Sequence, residues 1–198
     1  MNLPNTLTVS RLLLTGLLLV ALLLRLPGGD TAALALFVAA SLTDFYDGRI
    51  ARARKQITNF GILLDPLADK VLVCATFIAL MERSPLNESP VVAVRAWMVI
   101  VIVMRELSIT GLRLLAAGQQ VVLAAERYGK HKTISQITAL ITLLVLQARQ
   151  EWPAALQAVL SPWLPWLAWA TLWLAVLLTL TSGGLYLWRN RALFLKDL

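Results

Sequence analysis

An all-helical, polytopic membrane protein with six transmembrane helices and both termini in the cytoplasm is the fold class that this chain predicts. Three observations predict it. Hydrophobic residues fill 59% of the 198 positions, well above the roughly 45–50% apolar content of a soluble domain, and mean hydropathy is +0.73. The apolar residues gather into stretches that approach the ~20 residues a helix needs to cross a hydrocarbon core. Lysine and arginine collect on alternate connections between those stretches, the asymmetry expected when basic loops stay in the cytoplasm.

The predicted spans are residues 8–26, 31–52, 60–81, 91–117, 133–148 and 163–188. The first is leucine-rich and follows Asn2-Leu3-Pro4-Asn5, which is expected to start as a short helix lying along the membrane surface. It lacks a basic region before its apolar run and a small-x-small cleavage site, so it reads as a retained span rather than a signal peptide. Pro27-Gly28-Gly29-Asp30 is a turn composition leading into the second span, and Ser84-Pro85-Leu86-Asn87 is another after the third. The lone cysteine, Cys74, lies in the apolar third span, where a small buried side chain is expected and no intramolecular disulfide can form. Around the sixth span, Trp152, Trp163, Trp166, Trp169, Trp173 and Trp188 fit interfacial anchoring.

A net charge of +7 could suggest nucleic acid, but in a membrane chain the basic residues report topology, and no nucleic-acid partner is expected. One side carries Arg11, Arg49, Arg52, Arg54, Lys55, Arg113, Arg127, Lys130, Lys132, Arg189, Arg191 and Lys196; the other offers Arg25, Arg83, Arg95 and Arg149. No repeat at solenoid period or low-complexity tail is evident. The chain therefore reads as a single integral membrane domain, residues 1–198, with no room for a soluble catalytic domain.

Aspartate is scarce, yet Asp44, Asp47, Asp65 and Asp69 fall together in the second and third spans. On a helix Asp44, Asp47, Gly48, Ala51 and Arg52 share one face, as do Gly61, Asp65 and Asp69 at i, i+4 and i+8. The short connection 53–59 pairs the two helices antiparallel. Ionised aspartates at a membrane cost several kcal/mol unless compensated. Oxygen donors without a local Cys or His cluster favour a hard ion, so two Mg²⁺ or Mn²⁺ ions are the expected cofactors. The competing structural reading pairs these aspartates with Arg49, Arg52 and Lys70, or lines a water-filled cation path with them. Gly48 and Gly61, each costing about 0.5–1 kcal/mol in a helix interior relative to alanine, suggest close approach of a ligand or another helix. Pro66 leaves the Ile62 carbonyl unbonded if the helix continues and suggests a local kink.

Asp44-x2-Asp47-Gly48-x2-Ala51-Arg52, then eight residues, then Gly61-x3-Asp65-x3-Asp69 resembles the complete signature of the CDP-alcohol phosphatidyltransferase family, without departure at its eight fixed positions. The opening 3–11, the run Leu64-Asp65-Pro66-Leu67-Ala68-Asp69-Lys70, the segment from Arg105-Glu106 to Arg113, and Gly129-Lys130-His131-Lys132-Thr133 extend the resemblance toward the bacterial branch that makes phosphatidylglycerol phosphate. The resemblance implies that Asp44, Asp47, Asp65 and Asp69 bind the metals and that Asp69 is also the general base. It implies that Gly48, Arg52 and Gly61 contact the cytidine diphosphate part of CDP-diacylglycerol, with Asn5, Thr8 and Arg11 near the nucleotide. A homodimer in the bacterial cytoplasmic (inner) membrane, surrounded by lipid and with its site facing the cytoplasm, is implied as well.

The implied acceptor, glycerol 3-phosphate, is a dianion and needs fixed cations beyond the metals. Arg105, Arg113, Lys130 and Lys132 are the candidates at the cytoplasmic ends of the fourth and fifth spans. For the two lysines the alternative is a topogenic loop charge, and for Arg105 it is pairing with Glu106. His131, in the same loop, suits a surface or phosphate-neighbour position. The expected reaction transfers the phosphatidyl group and releases CMP. The rival readings keep that chemistry with inositol phosphate, serine or phosphatidylglycerol as acceptor, or make the chain a cation transporter.

Overall fold

The computed structural model describes residues 3–54, 59–83, 92–118 and 127–191; within them the side chains of 3–5, 7, 44–54, 59–67, 69, 117–118 and 127–130 fall outside the description. The chain is helical: α1 (Leu3–Leu24), α2 (Gly29–Arg54), α3 (Asn59–Arg83), α4 (Ala96–Gly118), α5 (Arg127–Ala148), α6 (Ala154–Leu160) and α7 (Leu164–Arg189), with a 3₁₀ turn Arg149–Glu151 before α6. Helix α1 packs on α2 and α3, α5 packs on α7 and α2, and α4 lies against α7 and α3.

Several sequence expectations shift. Leu3–Asn5 form the first turn of α1, continuous with the rest, so no separate surface helix precedes the span. Proline suits such a position because its missing N–H would lack an intrahelical partner there anyway. Helix α1 stops at Leu24, where Arg25 (φ 51°) and Gly28 (φ 76°) take left-handed conformations and turn the chain. Asp30, expected in a turn, belongs to the first turn of α2. Helix α4 begins at Ala96 rather than 91, and residues 92–95 are non-helical although Val92 and Val94 are buried. Helix α5 begins at Arg127, so Lys130, His131 and Lys132 are helical rather than loop residues. Helix α3 is continuous through Pro66.

One face of each long helix is buried. Leu18, Leu22, Phe37, Phe77, Ile102, Leu140 and Leu144 are fully enclosed, and small residues (Ala33, Ala40, Ala79, Ala139, Ala168 and Ala175) sit among them. Small side chains let helix backbones approach, which matters when the surrounding solvent is as apolar as the helices. The outward faces are also apolar. On α1, Leu13, Leu17, Val20 and Leu24 form an exposed stripe at helical spacing; on α7, Trp166, Trp169, Trp173, Leu177 and Leu180 form another. In water such stripes would be an aggregation liability; in a bilayer they are the solvated surface.

Among the described residues α7 is the one helix long and apolar enough by itself to cross a membrane, and Thr8–Leu24 and Gly29–Thr43 are shorter apolar helical stretches. Helices α2 to α5 combine apolar segments with the charged residues that build one end of the bundle.

Contacts between helices identify two ends. At one, Arg83 near the end of α3 donates to the Leu22 carbonyl of α1 (3.0 Å) and grips both carboxylate oxygens of Asp30 at the start of α2. There, too, Glu151 accepts from the backbone N–H groups of Asp30 (3.0 Å) and Thr31 (2.8 Å) and from the Thr31 hydroxyl (2.6 Å). Trp152 Nε1 donates to that same hydroxyl (3.0 Å). At the other end come together the first halves of α3 and α5 and the second halves of α4 and α7.

Candidate functional site

The buried seams of four helices turn polar toward that second end. On α1 the inward positions Thr8, Arg11 and Thr15 give way at the same helical spacing to Leu18 and Leu22, and all five are at most 2% exposed. Helix α5 runs from Lys132, Ser135 and Gln136 to Ala139, Leu140 and Leu144; α7 runs in reverse, from Ala168, Leu172 and Ala175 to Thr179, Ser182 and Tyr186. On α4, Met98, Val99 and Ile102 precede Glu106. Burying polar groups without partners costs free energy; the polar side chains of this end largely satisfy one another, while Thr142 and Gln147, further along α5, are buried polar residues outside it.

Glu106 is the hub of this polar end. Its carboxylate, 1% exposed, pairs through Oε1 with Lys132 of α5 and with Arg105 Nη1 (3.2 Å), and through Oε2 with Lys70 Nζ of α3 (3.3 Å). The Gln136 side-chain amide donates to Thr179 Oγ1 (3.1 Å) and approaches Glu106 Oε1 at 3.5 Å, tying α5 to α7. Arg105 Nε is buried without a hydrogen-bond partner. Arg113, exposed and two turns beyond Glu106 on α4, makes a separate contact with α7, where its Nε donates to the Tyr186 hydroxyl (3.3 Å) and its guanidinium lies 5.6 Å from the ring centroid.

The predicted site residues distribute as follows. Asp44, Asp47, Gly48 and Arg52 fall on the final turns of α2, and Gly61, Asp65 and Asp69 on the first turns of α3, directly ahead of Lys70. The side chains of these residues, and of Asn5 and Lys130, lie outside the described residues. Thr8 and Arg11 are enclosed on the α1 seam. Arg105 and Lys132 meet at Glu106, whereas Arg113 does not join them. Lys132 is 2% exposed, which excludes the reading of it as a loop charge. Among the described residues no three His, Cys, Asp or Glu side chains come together as a metal site.

Sequence reasoning missed Glu106 as a hub for three cations, together with Gln136, Thr179, Ser182 and Gly183. Gln136 and the Thr179–Ser182 pair did leave a signal, since polar side chains interrupt otherwise apolar runs there.

Fold and site together define a helical-bundle protein in which cations of α3, α4 and α5 converge on one carboxylate, with the aspartates of the sequence motif on the adjoining turns of α2 and α3. Residues 1–181 match the model of the CDP-alcohol phosphatidyltransferase family. The chain belongs to that family. It is similar to the CDP-diacylglycerol–glycerol-3-phosphate 3-phosphatidyltransferase of Bacillus subtilis (strain 168), with 40% identity across 96% of this chain and 95% of the relative. The protein of that name from Rickettsia bellii (strain RML369-C) is 34% identical across 93% of both chains. A cardiolipin synthase (CMP-forming) of Oryza sativa subsp. japonica is 36% identical over 73% of this chain but only 46% of its own length.

Proposed function

We propose that this protein transfers the phosphatidyl group of CDP-diacylglycerol to glycerol 3-phosphate, forming phosphatidylglycerol phosphate and CMP. The observation that carries this reading is the unbroken acidic signature from Asp44 to Asp69 in a chain matched nearly end to end by relatives bearing that enzyme's name. The cations gathered around Glu106 add support, because a phosphate-bearing acceptor needs fixed positive charge.

The donor set fits divalent ions: four aspartates on adjacent helices offer hard oxygen ligands and carboxylates able to bridge. Asp44, Asp47, Asp65 and Asp69 would hold two of them, Mg²⁺ or Mn²⁺, which when bound neutralise the diphosphate and stabilise charge developing on the leaving phosphate. Asp69 takes the proton from the acceptor hydroxyl as the new oxygen–phosphorus bond forms and the bond to CMP breaks. Gly48, Arg52 and Gly61 receive the cytidine diphosphate portion, and Asn5, Thr8 and Arg11 complete the nucleotide side. Arg105, Arg113, Lys130 and Lys132 serve the acceptor phosphate, with Arg113 acting from two turns beyond Glu106 on α4.

The whole chain, 1–198, works as one integral domain crossing the bacterial cytoplasmic membrane six times, its termini and its site on the cytoplasmic side. Lipid reaches the site laterally, the soluble acceptor enters from the cytoplasm, and the enzyme works as a homodimer. Purified protein supplied with CDP-diacylglycerol, a divalent cation and each candidate alcohol in turn should release CMP with glycerol 3-phosphate. Release supported instead by phosphatidylglycerol, serine or inositol phosphate would reassign the acceptor. Cation flux through reconstituted protein without CMP release would favour the transporter reading.

A further inference from the structure

We infer that Glu106 and Gly183 are positioning residues that set the acceptor-phosphate clamp, Glu106 by holding Lys70, Arg105 and Lys132 together and Gly183 by seating the stem of Arg105. This rests on the glycerol 3-phosphate reading above. Lys70, Arg105 and Lys132 come from α3, α4 and α5, and like charges brought this close repel one another. The carboxylate that gathers them is 1% exposed. A buried carboxylate with one cation would be neutralised. Three cations meet this one carboxylate, and a single negative charge cannot neutralise all three. Glu106 therefore restrains the cations without cancelling them.

Gly183 completes the arrangement from α7. A Cβ built there would stand 2.8 Å from Arg105 Cγ, too close for a side chain anchored by its own helix so near that atom. The missing side chain lets the arginine stem lie against α7 and directs its guanidinium to Glu106. Arg105 Nε, buried and without a hydrogen-bond partner, is a donor left over for a ligand. Lys70 follows Asp69 in sequence, so the same carboxylate links the clamp to the helix that carries the proposed base.

The test measures CMP release by wild type, E106Q, E106D and G183A in detergent, varying glycerol 3-phosphate and CDP-diacylglycerol separately, with thermal unfolding recorded in parallel. E106Q should raise the acceptor KM by about tenfold or more while the donor KM stays within about twofold. E106D should recover part of that loss, and G183A should raise the acceptor KM without any change in charge. An acceptor KM unchanged in E106Q, or both KM values rising together, overturns the proposal. Should E106Q fail to fold, G183A decides alone: an unchanged acceptor KM overturns it. Failure of the underlying reading looks different, because wild type itself would then release CMP with an alcohol other than glycerol 3-phosphate.

Discussion

Asp69 faces a mismatch of acidity: an aspartate has a reference pKa of about 3.9, far below that of an aliphatic alcohol, so it cannot hold an acceptor proton before attack has begun. Proton transfer is useful only if concerted with formation of the new bond, as expected for general base catalysis. D69N keeps the shape and removes the base. It should lower kcat by about 10²-fold or more, while donor affinity, measured by CDP-diacylglycerol-dependent protection against thermal unfolding, survives in part. Near-normal turnover in purified D69N would refute the assignment. The helix that carries Asp69 was legible because its information is local: Gly61, Asp65 and Asp69 repeat every four residues, a spacing that fits one helical face, and all three fall within α3. Glu106 was not legible in the same way. Its partners Lys70 and Lys132 lie on other helices, so the sequence offered only the adjacent Arg105 as its partner, and Lys132 was a candidate for phosphate with no sign that it meets Glu106.

At the level of elements, apolar length made the long helices readable, whereas α6 passed unnoticed. A helix of seven residues is below the length at which propensity sustains a helix unaided, and its clearest local cue is Pro153 at the N-cap position. The turn before α6 has a consequence for α2. The first N–H groups of a helix have no intrahelical acceptor, and Glu151 supplies one from a distant part of the chain. Desolvation of the Glu151 carboxyl opposes ionisation, but the bonds from the Thr31 hydroxyl and the Asp30 and Thr31 N–H groups, with the charge of Arg83, outweigh it and hold the pKa below the usual 4.5. A depressed carboxylate pKa contributes stability that is complete above the unfolded value and lost as pH falls through the folded value. Thermal unfolding in detergent, followed by tryptophan fluorescence, should therefore show wild type losing stability below pH 4.5 more steeply than E151Q. At neutral pH, E151Q should cost about 1 kcal/mol or less, since the carboxylate is largely exposed and screened. Equal pH profiles for the two proteins would show that Glu151 does not cap α2 in solution.

Across the whole molecule the two ends differ in kind. The end that holds Asp30, Arg83 and Glu151 joins these three groups in one hydrogen-bonded set and offers few other basic residues, whereas the other carries the aspartates, the Glu106 cations and most of the remaining lysines and arginines. Basic residues beside helix ends are retained on the cytoplasmic side, so this distribution supports the proposed orientation, with the Glu106 end toward soluble glycerol 3-phosphate. Single cysteines can test it once the native thiol is removed by C74S. Gln150, beside the 3₁₀ turn, and His131, on the first turns of α5, are both exposed, and the length of α5 separates them. In intact cells a membrane-impermeant maleimide should label Q150C readily and should label H131C only after permeabilisation. Both variants should retain CMP release, because neither residue contributes to the proposed machinery. Labelling of H131C in intact cells would place the Glu106 end outside the cytoplasm, where an enzyme drawing on cytosolic glycerol 3-phosphate could not work.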